Sequence, residues 1–251
     1  MRLLFNYIKF AFYLILVFFL AIPKLIKYEL NPNKHSVDDM FGFLQKHAKR
    51  ALSFVDINLN VLGKDKLPKD PCLFVINHSS MLDSFILVAS VDRPIGVVIA
   101  DVPVWRKMPI ISHWTKLIKC VYINRENTRE GIKSIIESSK NIKEGYSMAI
   151  FPEGDLTWVK DPNALISDFR AGALKIAYKA NCPIVPLVIK NSKETYSGYQ
   201  PIGKIKSMDV EVEFLDPIYD HIENPKLKST ILSNEIKDNM INCINNFQKN
   251  L

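Results

Sequence analysis

Residues 3–22 are almost wholly apolar, with Asn6 and Lys9 as the strongly polar exceptions, and this pattern predicts a helix. Its uninterrupted part, residues 10–22, falls short of the roughly 20 residues needed to cross a bilayer. Three placements fit. A secretory signal has the right apolar length, but Pro23-Lys24 follows where a small-x-small cleavage site belongs. A membrane span must recruit Asn6 and Lys9. An interfacial helix or shallow hairpin would anchor through Arg2, Lys9, Lys24 and Lys27. Anchoring is the preferred reading, with the choice between spanning and lying in one leaflet left open. After a polar link at 31–35, Phe41, Leu44, Ala48, Leu52 and Val55 recur at helical spacing and predict a second helix over 37–55.

From Ile57 the pattern changes period. Short β-branched runs at 57–62, 72–76, 94–100, 119–125, 146–151, 183–190 and 209–215 predict strands. Helical periodicity separates them: from Leu82 onward, in a short helix after Pro109, and over 128–143, 169–180 and 226–249. The alternation indicates an α/β fold. We expect a single domain with a largely parallel mixed sheet flanked by helices, preceded by an N-terminal membrane-binding two-helix segment. The boundary falls between residues 1–56 and 57–251.

Composition narrows the partners. A net charge of +7 suits an anionic surface or a phosphorylated substrate. No basic run interleaved with aromatics and no zinc-finger spacing is present, so nucleic acid is the weakest choice. Cys72, Cys120, Cys182 and Cys243 form no C-x-x-C pair and read as small core residues of a reducing compartment.

Chemistry gathers where strands end. The buried run Leu73–Ile76 stops at Asn77-His78-Ser79-Ser80, and Asp83 falls in the first turn of the next helix. A turn folds that carboxylate onto one imidazole nitrogen, leaving the other to take a proton. The plainer alternative is a loop histidine with a helix-start charge. Arg125 and Glu153-Gly154 also lie at strand ends, where sites collect in such sheets.

These blocks carry a resemblance. Asn77-His78-x4-Asp83, Val121-Tyr122-Ile123-Asn124-Arg125, Phe151-Pro152-Glu153-Gly154 and Ile184-Val185-Pro186-Leu187 occur in the order of four blocks. They resemble those of the glycerolipid acyltransferase family that includes bacterial 1-acyl-glycerol-3-phosphate acyltransferases. Phe169-Arg170-x-Gly172-Ala173 is similar to a segment between the third and fourth blocks. The resemblance implies that His78 is a general base oriented by Asp83, acting on a glycerol hydroxyl that attacks an acyl thioester of coenzyme A or acyl carrier protein. It implies no cofactor, no metal and no Ser or Cys nucleophile. Arg125 would bind the acceptor phosphate, with Arg170, Asn77 and Gly154 beside the substrate, and Glu153 would hydrogen-bond the acceptor or brace the loop. It further implies a membrane enzyme of the cytoplasmic face, making phosphatidate from lysophosphatidic acid.

Two positions depart from the family's pattern. Asp155-Leu156 stands where Thr-Arg usually follows Glu-Gly, and Asp101 stands where a Lys is usual. Arg106, Lys107, Arg170 and Lys175 are the candidate compensating cations. A lysophospholipid with another headgroup, or a lipid-binding member without catalysis, is the alternative.

Overall fold

Leu73, Phe74, Val75 and Ile76 leave no side chain exposed, as expected for a strand flanked on both sides and covered on both faces. The computed structural model, which describes residues 2–31, 36–102, 107–197 and 204–249, places this strand at the centre of the sheet. We number the strands β1 (Ile57–Leu62), β2 (Leu73–Ile76), β3 (Ile95–Ala100), β4 (Val121–Ile123), β5 (Ser147–Ile150), β6 (Ile184–Lys190), β7 (Tyr196–Ser197), β8 (Lys204–Ile205) and β9 (Met208–Phe214). The main sheet has the order β1-β9-β6-β2-β5-β3-β4. Strands β6, β2, β5, β3 and β4 are mutually parallel, whereas β9 pairs antiparallel with β6 and parallel with β1. The sheet is therefore mixed and largely parallel, and β7 and β8 form a separate hairpin.

The helices are α1 (Arg2–Leu30), α2 (Val37–Phe54), α3 (Asp83–Ser90), α4 (Pro109–Leu117), α5 (Thr128–Lys143), α6 (Thr157–Lys160), α7 (Lys175–Ala180), α8 (Asp220–Glu223) and α9 (Ser229–Lys249). One face of the sheet packs Phe74, Ile76, Val185 and Leu187 against α1, α2 and α3, through Phe10, Phe41, Leu52 and Ile86. The opposite face packs Leu73, Val75, Ile184 and Val188 against α5, α7 and α9, through Ile142, Ile176, Ile236 and Met240. This alternation along β2 and β6 is the two-residue period of a strand buried on both sides.

Helix α1 runs through Pro23 to Leu30, beyond the end the sequence suggests. A proline costs an interior helix about 3 kcal/mol, and the segment past it is held by packing. Ala21, Leu25 and Tyr28 are buried with Trp114 of α4 and Phe43 of α2. Two other expectations are corrected. The strand at 119–125 shortens to Val121–Ile123, because Lys119 is left-handed and the Asn124 side chain caps the following turn by accepting from the N–H groups of Glu126 and Asn127. The helix at 169–180 begins late, with a 3-10 turn at Ala171–Leu174 before α7, because Arg170 is extended (φ −76°, ψ 102°), its N–H donating to the Pro152 carbonyl.

Candidate active site

Strand β2 delivers Asn77 and His78 to the carboxyl edge of the sheet. Asn77 is buried, and its amide extends the ladder sideways: Nδ2 donates to the Ile189 carbonyl at 2.9 Å and Oδ1 accepts the Ile189 N–H at 2.8 Å. That double bond fixes where the loop leaves the sheet. Asp83 opens α3 with its carboxylate turned back. Its Oδ2 lies 3.0 Å from His78 Nδ1 and accepts the N–H groups of Ser79 at 2.7 Å and Ser80 at 2.8 Å. An oxygen already accepting two N–H groups acts toward Nδ1 as an acceptor too, so the imidazole proton sits on Nδ1 and Nε2 carries the lone pair. Asp83 is fully buried, the His78 side chain is 20% exposed, and Nε2 has no protein partner among the described residues. The arrangement can take a proton from a ligand hydroxyl.

The backbone of His78 is clamped from both sides. Its N–H donates to Glu153 Oε1 at 2.7 Å, and its carbonyl accepts the Thr157 N–H at 2.7 Å. Glu153 is fully buried, and its Oε2 accepts from Thr157 Oγ1, Ser167 N–H and Ser167 Oγ, each at 2.7 Å. Of the two roles expected for Glu153 this is the bracing one, and Asn77, expected beside the substrate, is likewise turned into the protein with Nδ2 and Oδ1 both hydrogen-bonded to Ile189. Thr157 and Ser167 were not legible as part of this network. Thr157 stands four residues after Glu153, a spacing that allows side chains to meet, but Ser167 has no such signal. Thr195 has no sequence signal either; its Oγ1 lies 2.8 Å from Ser80 Oγ.

Beside the histidine lies a cleft of about 310 Å³. Val98, Ile123, Ile135, Ile150 and Phe151 form its apolar floor, and Arg125, Gly154, Arg170 and Lys175 border it. Phe151 joins the two parts, its ring centroid 4.4 Å from that of His78. Arg125 remains open to solvent at the mouth, yet its pKa is lowered by desolvation within the cleft and by the like charge of Arg170, with Asp155 acting the opposite way. Two guanidiniums set against each other form a place where an anion relieves repulsion. Gly154 adopts a φ of +83°, and a Cβ there would stand 2.9 Å from Arg170 Nε. Glycine at this position lets the Arg170 side chain lie over the loop.

Of the substituted positions, Asp155 acts electrostatically on Arg125, whereas Asp101 ends β3 with its N–H on the Ile123 carbonyl and does not border the cleft. Arg170 and Lys175 are placed to supply positive charge; Lys107 is not, and Arg106 lies outside the described residues. Pro186 is buried inside β6 opposite Val75, away from the cleft. Among the described residues no group of three or more His, Cys, Asp or Glu side chains is disposed to hold a metal ion.

Comparison with known proteins agrees with this geometry. Over 169 residues the chain is 31% identical to the "Probable 1-acyl-sn-glycerol-3-phosphate acyltransferase" of Mycoplasma pneumoniae, a match covering 66% of this chain but only 61% of that relative, less than two thirds of its length. The Mycoplasma genitalium protein of the same name is 28% identical over 239 residues, covering 92% of this chain and 86% of its own. The crystal structure of the 1-acyl-sn-glycerophosphate (LPA) acyltransferase PlsC from Thermotoga maritima shares the fold at a TM-score of 0.79, with 98% of each chain covered and 18% identity. A family model described as Acyltransferase matches residues 58–190, from β1 to the end of β6 and so across the whole His78 loop and cleft. The chain belongs to the acyltransferase family.

Proposed function

We propose that the protein transfers a fatty acyl group from an acyl-CoA or acyl carrier protein thioester to the sn-2 hydroxyl of 1-acyl-glycerol-3-phosphate, giving phosphatidate. The observation that carries the reading is the His78-Asp83 pair opening beside a cleft that joins an apolar floor to two guanidiniums. His78 Nε2 accepts the hydroxyl proton as the oxygen attacks the thioester carbonyl. The carbon–sulfur bond then breaks, and the proton passes from the imidazolium to the departing thiolate. Asp83 holds the ring and stabilises its charged form. The acceptor alcohol is itself the nucleophile, so no acyl-enzyme forms. Arg125 and Arg170 hold the acceptor phosphate, for which a planar fork of N–H donors is suited.

Residues 1–56 serve as the membrane-binding segment and 57–251 as the catalytic body, working at the cytoplasmic face. Supporting this, α1 is long and apolar enough to cross a bilayer, yet both its ends are tied to the body. Asn6 Nδ2 donates to Ser207 Oγ at 2.9 Å near one end, and Glu29 lies 3.3 Å from His113 near the other. A helix pinned along its length cannot thread a bilayer while the body stays on one side. The exposed stripe of Phe5, Phe12, Ile15, Phe19 and Ile26 instead suits lying in one leaflet.

The test is acyl transfer by purified protein in liposomes, with a palmitoyl thioester and a panel of lysophospholipids. Phosphatidate formed from lysophosphatidic acid is the expected product. Acylation confined to another headgroup would reject the acceptor named here and turn attention to Asp155 beside Arg125.

A further inference from the structure

Helix α5 presents a solvent-exposed face beside the cleft. At about 100° per residue, Ile132, Lys143, Ile136, Arg129, Lys140 and Lys133 fall within one exposed arc roughly 100° wide, in that angular order. The acidic residues of the helix, Glu130 and Glu137, are gathered on the flank beyond Lys133, and Glu144 at the C-terminal cap lies 3.6 Å from Lys140 at that same edge. The opposite arc, with Ser134, Ser138 and Ile142, is buried. The exposed face thus sets four cations beside two isoleucines that are 52% and 46% exposed, with the isoleucines toward the cleft edge. Ile132 also lines the cleft, so the stripe begins at the cleft mouth.

We propose that this stripe is the docking surface for an acidic acyl carrier protein that presents the donor thioester, a reading that rests on the function proposed above. Two observations select this occupant. The four cations beside an apolar edge complement a helix with acidic residues beside an apolar ridge, the arrangement of an electrostatically steered interface. And α5 packs on the sheet face opposite the one that carries α1, so a bilayer touching α1 lies on the far side of the molecule. A donor docked on α5 then approaches from the soluble side, with its thioester at the cleft mouth beside Ile132.

The test is the double variant Lys133→Glu/Lys140→Glu, two exposed residues that do not border the cleft. Palmitoyl-carrier protein and palmitoyl-CoA are compared as donors, binding of holo-carrier protein is followed by fluorescence anisotropy, and co-sedimentation with phosphatidylglycerol vesicles is measured in parallel. The expected result is a KM for the carrier-protein donor raised about tenfold, carrier binding weakened to match, and unchanged CoA kinetics and vesicle binding. In the parent protein the carrier KM should also climb with ionic strength. Equal losses with both donors, an unchanged carrier KM, or loss of vesicle binding would overturn the proposal. If the parent protein transfers from neither donor to any lysophospholipid, the proposed function fails, while the anisotropy measurement still decides the docking surface.

Discussion

Replacing Glu153 separates a bracing carboxylate from one that holds substrate. In Glu153→Ala the main-chain N–H groups of His78 and Ser167, both at 2.7 Å from the carboxylate, lose their acceptor in a buried site. Each orphaned donor costs about 1–3 kcal/mol, so the pair costs about 2–6 kcal/mol before the cavity is counted. The two hydroxyls contribute less, since Thr157 Oγ1 already lies 3.0 Å from the His78 carbonyl and can turn to it. Glu153→Gln keeps the shape but has one acceptor oxygen for two N–H groups on opposite sides, so one donor faces an amide NH₂. That loss is about 1–3 kcal/mol, or a melting point lowered by roughly 2–12 °C in a chain of this size. The assay is thermal unfolding by circular dichroism in detergent at fixed scan rate, paired with the KM for the acceptor. Both variants should melt earlier, Ala by more than Gln, and lose turnover as His78 loosens. Unchanged melting with a KM raised manyfold would show that Glu153 holds substrate and would refute the bracing argument.

Three further outcomes are expected. Gly154→Ala places a Cβ against Arg170 at a positive φ, which costs about 1–3 kcal/mol and should raise the KM for the phosphate-bearing acceptor; an unchanged KM would remove Arg170 from the phosphate site. Burial pushes the thiols of Cys72, Cys120 and Cys182 up to about 12, and burial together with Glu213 pushes Cys243 up to about 11, so iodoacetamide at pH 7.5 should leave the rate unchanged. Stoichiometric inactivation would contradict the absence of a reactive thiol. Burial also lowers the pKa of His221 below its ordinary 6.5, so the unfolded chain takes the proton first. Stability is then complete above about pH 6.5 and falls as pH drops below it. His221→Gln should flatten that decline in melting temperature, leaving the part due to His47, which shifts the same way; identical pH profiles would refute the assignment.

Much of this fold was legible because its strands are short apolar runs between sharp stops. The four residues of β2 have no amphipathic alternative, and α5 was bounded correctly because Asn127 caps its start and Gly145 follows its end. Strand direction was not legible: nothing in Met208–Phe214 says that it runs opposite to β6. The elements that went wrong are those whose backbone is claimed by distant partners, such as Arg170, tied to Pro152. The site shows the same division. The His78-Asp83 pair lies within one turn of chain and was visible as spacing, whereas the clamp on the His78 backbone joins residues 78, 153, 157 and 167 and exists only in the folded state. Asn77 and Glu153 stand out in the sequence as polar residues at strand ends, but a side chain that braces and one that binds look alike until burial is known.

The central claim is that His78 takes the proton of the attacking hydroxyl. The most direct measurement is the single-turnover rate of acyl transfer to lysophosphatidic acid for the parent protein and His78→Ala, with circular dichroism confirming that both are folded. General-base catalysis by a positioned side chain contributes about 10²–10⁴-fold, so the account predicts a loss at least that large, with no acyl group bound to the protein at any time. A folded His78→Ala protein that retains its rate within a few-fold, or an acyl adduct trapped on the chain, would contradict it.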